Sequence, residues 1–432
     1  MIEARAGMAD SLDAPDPGSA PAASPLPETG PAPETGLALV LTGGGARAAF
    51  QTGFLAALGE HRPDLEIDIL TGVSAGAINA AYLASHEGSF GERTAALEAL
   101  WRDLTPERVY DVRPFALSRK VGGWGFRLLS GGLGPRSARP RGLLDTTPIE
   151  RLVASRLCDP KDPHCLEGLP GIERNLAKGR LRAVAITTTS YSTGQTVTWI
   201  EGRPGVRAWD RSDRISRKCR LKIEHILASS AIPFLFPAVE IDERWYGDGG
   251  VRLYAPLAPA VHLGADRVLA LSTRYGRSAD EADTPSIDDY PPPAQIGGVL
   301  FNAVFLDLLD ADAHSMERIN TLIAECAGDA AGSNDADPSS GTHGRTSRPL
   351  RPVRLEVVRP NVDLGRLASE FEPDLPRFFR FLSRGLGTRE TRSNDLLSLL
   401  MFQRDYLERL LELGREQFAR QREIVDALLD GA

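Results

Sequence analysis

Two short apolar runs, Leu37 to Leu41 and Glu66 to Leu70, each lead into a glycine-containing turn, and each turn is followed by a helical pattern, Arg47 to Glu60 and Ala75 to Ser85. A strand that passes through glycines straight into a helix is the repeating unit of a parallel, helix-covered sheet, because parallel neighbours need a crossover between them. Further strands are expected at Leu181 to Thr189, Gln195 to Ile200, Val239 to Ile241, Arg267 to Ser272 and Val353 to Val358. The alternation predicts an α/β fold, with a mainly parallel central sheet and helices on both faces in three layers. From Ile296 onward the pattern turns helical: Ile296, Leu300, Val304 and Leu308, then Leu396, Leu400, Leu407 and Leu411, recur at three- and four-residue spacing that suits a core-facing stripe.

Residues 1–35 are dominated by Pro, Ala, Ser, Gly and Glu and are expected to be a disordered leader. A similar composition at about 328–349 predicts a flexible insertion. The first twenty residues carry acidic groups and no apolar h-region, and no apolar run reaches the ~18 residues of a membrane span. The expected location is the cytoplasm.

Acidic residues outnumber basic ones, 58 to 50, and a net charge of −8 offers no electrostatic footprint for nucleic acid. Cys158, Cys165, Cys219 and Cys326 form no CxxC pair, so a zinc cage is not expected, and in a chain of 432 residues a disulfide framework is not expected either.

Three motifs carry chemistry. Gly72-Val73-Ser74-Ala75-Gly76 is a GxSxG between an expected strand and an expected helix; its glycines permit the sharp turn that thrusts a serine hydroxyl outward. Gly43-Gly44-Gly45-Ala46-Arg47 ends the first strand, where successive amides at a helix start can hold an oxyanion. It lacks the lysine of a nucleotide-type phosphate loop and the last glycine of a dinucleotide loop. Tyr246-Gly247-Asp248-Gly249-Gly250 sets a carboxylate among glycines; alone, it would read as a plain turn.

Together with Ala228-Ser229-Ser230-Ala231-Ile232-Pro233, these motifs resemble the patatin-like phospholipases over roughly Leu37 to Ser272. The resemblance implies a catalytic core at 36–275, followed at 276–432 by a helical extension with one further strand. It implies hydrolysis of carboxylic esters of phospholipids or related acyl lipids, with Ser74 as nucleophile and Asp248 as its base. The loop Gly43, Gly44, Gly45, Ala46 and Arg47 would form the oxyanion hole, and Gly72 and Gly76 the elbow. No metal and no cofactor is implied. Ala48 stands where the family often has glycine, a change that a helix start tolerates.

Two other readings stay open. In a Ser-His-Asp esterase or thioesterase a histidine follows the acid, and His262, His314 and His343 all do so. Alternatively, the glycine loop holds an anion in a non-catalytic binding module. Between Val112 and Leu144 lie seven Arg or Lys residues, no Asp or Glu, and Phe115, Trp124 and Phe126. This mixture suits peripheral contact with an anionic membrane and suits a solvated loop equally well.

Overall fold

The structure is a computed structural model that describes residues 36–111, 142–158, 165, 167–277, 281, 283, 290–305, 308–332, 350–375, 380 and 394–431. The expected leader, most of the basic-aromatic stretch and most of the 328–349 insertion lie outside the described residues. The helix that precedes the insertion runs to Gly332, so 328–332 are helical.

Strand β1 (Leu37–Leu41) leads through the glycine loop into α1 (Ala48–His61), and β2 (Ile69–Val73) leads through Ser74 into α2 (Ala75–Ser85). There follow α3 (Phe90–Arg102), α4 (Pro106–Val109), α5 (Thr147–Leu157), α6 (Pro170–Ala177), β3 (Ala183–Ser190), β4 (Thr196–Gly202), β5 (Arg214–Lys218) and α7 (Ile223–Ser229). After β6 (Val239–Ile241), β7 (Arg244–Asp248), α8 (Ala258–Leu263) and β8 (Arg267–Leu271), the chain is largely helical. Its last elements are α9 (Pro293–Phe305), α10 (Leu308–Gly332), β9 (Arg354–Val358), α11 (Leu364–Phe371), α12 (Asp395–Leu400) and α13 (Arg404–Asp430).

The sheet runs in the order β5-β4-β3-β2-β1-β8-β9, with β7 joined to β3 and β6 to β7. Its centre, β3-β2-β1-β8-β9, is parallel, whereas β3 meets β4 and β7 antiparallel. Strands β1 and β2 are buried at every residue, as expected of strands covered on both faces.

The second strand is Ile69–Val73 and not Glu66 to Leu70: it begins later than expected and continues through Thr71 and Gly72, which in sequence look like a turn. Strands β5 and β7 were not expected; β7 ends in Tyr246-Gly247-Asp248, where glycine masks the strand pattern.

The chain-terminal helix is part of the core. Helices α1 and α13 cross where Gly53 meets Gly414, so closely that a methyl on either would collide with the other helix's backbone. Phe54 packs edge-on against Phe418, with ring centroids 5.5 Å apart.

One expectation is corrected: Cys158 and Cys165 form a disulfide, with Cα atoms 5.8 Å apart. They close a local loop after α5, an arrangement that an argument from chain length cannot detect. Cys219 and Cys326 are free.

Candidate active site

Strand β3 brings the site together. Its first part, Ala183 to Thr187, pairs with β2 up to Val73, and its last part, Thr188 to Ser190, pairs with β7 from Asp248 back to Tyr246. Strand β7 thus takes over the edge of β3 just where β2 stops. Successive residues along a strand rise ~3.3 Å, so the residue that leaves β2, Ser74, emerges beside Asp248.

Ser74 has φ 55° and ψ −131°, a conformation that L-residues rarely adopt. The flanking glycines make it possible: a methyl on Gly72 would run into Gly76 and Ala77, and one on Gly76 into the carbonyls of Leu41 and Thr42. Two hydroxyls hold the turn. The Ser74 amide donates to Ser229 Oγ at 3.0 Å, and Ser230 Oγ donates to the Ser74 carbonyl at 3.0 Å. Ser229 Oγ in turn donates to the Thr187 carbonyl at 2.7 Å, tying the elbow to β3.

Asp248 is fully buried. Its backbone is fixed by an amide bond to the Ala231 carbonyl at 3.0 Å and by Thr189 Oγ1, which donates to the Asp248 carbonyl at 2.9 Å. The Gly250 amide donates to Oδ1 at 2.8 Å. Gly249 passes so close to Thr187 that a side chain there would strike the Thr187 carbonyl.

Burial pushes the Asp248 carboxyl up to about 7, against the lowering effects of the Ser74 hydroxyl and the Gly250 amide. The Ser74 hydroxyl is near enough to stabilise the carboxylate, yet Oδ2 has no partner of full hydrogen-bond geometry among the described residues. Catalytic hydrogen bonds are often loose without substrate and tighten when it binds.

The glycine loop lies across from this pair. Gly43 packs against Ser74, leaving only 3.0 Å between the Ser74 Cβ and a methyl placed on Gly43. Gly44 and Gly45 adopt φ of 151° and 53°, and a short 3-10 turn spans Gly45–Arg47. The Arg47 amide is used by the Gly44 carbonyl at 3.0 Å, whereas the Gly44 and Gly45 amides have no acceptor among the described residues. Gln51 and Thr273 brace the loop: Gln51 Nε2 donates to the Thr42 and Leu271 carbonyls, each at 2.9 Å, and Thr273 Oγ1 donates to the Gly43 carbonyl at 2.6 Å.

Ser74 and Gly45 open into a cavity of about 400 Å³ lined mainly by apolar side chains, among them Ile78, Leu104, Leu152, Leu227 and Phe402. That size falls within the range of small-molecule pockets. Among the described residues no group of three or more His, Cys, Asp or Glu side chains is arranged to hold a metal ion.

A family model for patatin-like phospholipases matches residues 39–261, just over half of the 432 residues. The chain belongs to the patatin-like phospholipase family. By sequence, no curated protein matches it. Solved structures that align with the chain include human GIVD cytosolic phospholipase A2, at 12% identity and TM-score 0.42 over 92% of this chain and 60% of that one. VipD from Legionella pneumophila aligns at 12% identity and TM-score 0.30, over 88% of this chain and 66% of that one. The type III effector ExoU of Pseudomonas aeruginosa aligns at 16% identity and TM-score 0.24, covering 85% and 78%. The chain spans less than two thirds of the length of the human enzyme and of VipD.

Among the described residues, His262, His314 and His225 make contacts outside the Ser74–Asp248 pair. His262 stacks on Trp209, with centroids 4.7 Å apart and planes 18° from parallel. His314 is exposed beside Glu317, and His343 lies outside the described residues. His225 faces Cys219 Sγ at 3.9 Å, but its Nδ1 already accepts the Lys222 amide, so in the neutral ring Nε2 carries the proton and cannot take another. No described helix is long and apolar enough to cross a membrane.

Sequence reasoning missed Ser229, Ser230, Gln51 and Thr273 as site residues. The first two fall in the stretch that resembles the family, but nothing local in a Ser-Ser pair says which backbone groups it will reach.

Proposed function

We propose that this patatin-like protein hydrolyses carboxylic esters of phospholipids or related acyl lipids through a Ser74–Asp248 dyad. The observation that carries the reading is the meeting of a strained elbow serine with a buried carboxylate, beside a glycine loop whose Gly45 lines the same apolar cavity as Ser74.

In the proposed reaction, Asp248 takes the proton of Ser74 Oγ as that oxygen attacks the ester carbonyl. The Gly44 and Gly45 amides receive the negative charge that develops on the carbonyl oxygen. Collapse of the tetrahedral adduct breaks the bond to the alcohol oxygen, which leaves with the proton from Asp248. A water then gives its proton to Asp248 and attacks the acyl-serine; the fatty acid departs and Ser74 regains its proton. A carboxylate raised to about 7 is far better matched to a serine proton near neutral pH than one in the ordinary range. The apolar cavity provides the water-poor surroundings that keep it raised, and it accommodates the acyl chain. The substrate's class brings the protein to a membrane surface as a peripheral visitor.

A panel of phospholipids and soluble acyl esters tests this, using wild type, Ser74→Ala and Asp248→Asn. Hydrolysis by wild type and its loss in both variants is expected; full activity in either variant would end the proposal.

A further inference from the structure

Arg47 is 3% exposed, and a guanidinium so buried needs a partner to offset its lost hydration. That partner does not come from the region matched by the family model, 39–261, but from α12. Arg47 Nη2 donates to Asp395 Oδ1 at 2.6 Å and to the Asp395 carbonyl at 3.2 Å, and Nε donates to Ser398 Oγ at 2.6 Å. The other carboxylate oxygen, Asp395 Oδ2, accepts Asn302 Nδ2 of α9 at 2.6 Å. Ser398 Oγ donates back to the Asp395 carbonyl at 2.7 Å, so the acid and the serine hold each other as well as the arginine.

The same segment touches the loop and the cavity directly. A methyl on Gly45 would collide with the Leu399 carbonyl, so α12 sets how close the glycine loop can come. Tyr110 donates its hydroxyl to the Leu400 carbonyl at 2.7 Å, and Phe402, two residues on, lines the apolar cavity and stacks on Trp101.

We propose that Asp395, through Arg47, is a positioning residue for the oxyanion loop, and that 395–402 is a working part of the active site. The proposal rests on the hydrolase reading above. Arg47 closes the short turn that begins at Gly45, a residue that lines the cavity, and the Gly44 and Gly45 amides at the start of that turn have no acceptor among the described residues. Its side chain is the lever by which α12 fixes that turn against β1. Without the carboxylate, the guanidinium is left buried with neutral acceptors only, and the turn shifts or samples alternative positions. Oxyanion stabilisation depends on donors held in place before charge develops, so the loss falls on the transition state and not on substrate binding.

The test uses the full chain with a soluble short-chain p-nitrophenyl ester, comparing wild type with Asp395→Asn, Asp395→Glu and Asp395→Ala. Active enzyme is counted by titration with a fluorophosphonate, so that turnover refers to folded, competent molecules even where a variant is less stable. The expectation for Asp395→Asn is a kcat roughly ten- to a hundred-fold lower, with KM within about two-fold, since even outright loss of an oxyanion donor costs about 100- to 1,000-fold. Asp395→Glu should recover part of the loss. The pH at which kcat/KM reaches half its plateau should stay that of wild type, because Asp248 keeps its surroundings.

Wild-type kcat per titrated site in both Asp395→Asn and Asp395→Ala, with only a lower melting temperature, would overturn the proposal and leave the hydrolase reading intact. An inactive, unlabelled wild type would overturn both.

Discussion

Ser229 accepts the amide of Ser74 at 3.0 Å while donating to the Thr187 carbonyl, so one buried hydroxyl joins the strained elbow to the strand that also pairs with Asp248. The geometry of the site therefore depends on a residue that performs no proton transfer. Ser229→Ala removes both bonds without adding bulk and leaves two buried backbone groups unpaired. A loss of stability of about 1–3 kcal/mol per stranded group is expected, together with a lower kcat. Ser230→Ala should cost less, because Ser230 is only half-buried and water can replace it at the Ser74 carbonyl. Denaturant titration and turnover of the pair check the order.

The raised Asp248 carboxyl fixes a pH dependence in both rate and stability. Only the carboxylate accepts a proton, so kcat/KM should rise with pH through about 7 and level off above it. Stability runs the other way. The folded value lies above that of the unfolded chain, so the protonated acid favours folding; this contribution is complete below about pH 4 and is lost as pH rises through 7. At ~1.4 kcal/mol per tenfold change, the loss is at most roughly 4 kcal/mol. Asp248→Asn, neutral throughout, should melt higher than wild type at pH 8 and no higher at pH 4.

Glu201 contributes in the same window with the same sign: burial pushes it up to about 7 as well, opposed by the Leu221 amide it accepts at 2.7 Å. Melting curves in a Glu201→Gln background should therefore be flatter between pH 5 and 8 than those of wild type, with the Asp248 component remaining. Identical curves would remove Glu201 from the account.

A triad would need a histidine, and His262, stacked on Trp209, is the one whose removal separates the two mechanisms. His262→Ala should retain turnover within a few-fold and lose a modest amount of stability from the broken ring contact, about 0.5–1.5 kcal/mol. Abolished turnover in a folded protein would favour the triad.

The cavity makes a prediction about chain length. Leu152 and Leu227 form part of its apolar wall. Leu152→Trp should shift preference toward shorter acyl esters, reducing kcat/KM for long chains far more than for a butyrate ester. An equal loss across the series would mean that the acyl chain lies elsewhere.

How much of this was legible in the sequence follows from which signals are local. The parallel core and the elbow were, because β1, β2 and their glycines announce themselves within a few residues: Gly72 and Gly76 stand where any side chain would meet backbone. Strand β7 was not, since Trp245-Tyr246-Gly247-Asp248 is short and looks like a turn until β3 pairs with it. The bracing residues were hidden for a different reason. Ser229, Thr273 and Asp395 act on groups 155, 230 and 348 positions away, and no periodicity records such distances. The Cys158–Cys165 bridge was misjudged by weighing the whole chain when only a local loop mattered.

The central claim is that Asp248 activates Ser74, and intact-protein mass spectrometry after exposure to a long-chain fluorophosphonate tests it most directly. The account predicts one adduct per chain, mapped to Ser74, forming at least about a hundred-fold more slowly in Asp248→Asn, as loss of a general base implies. An adduct on another residue, or labelling of Asp248→Asn at the wild-type rate, would contradict it.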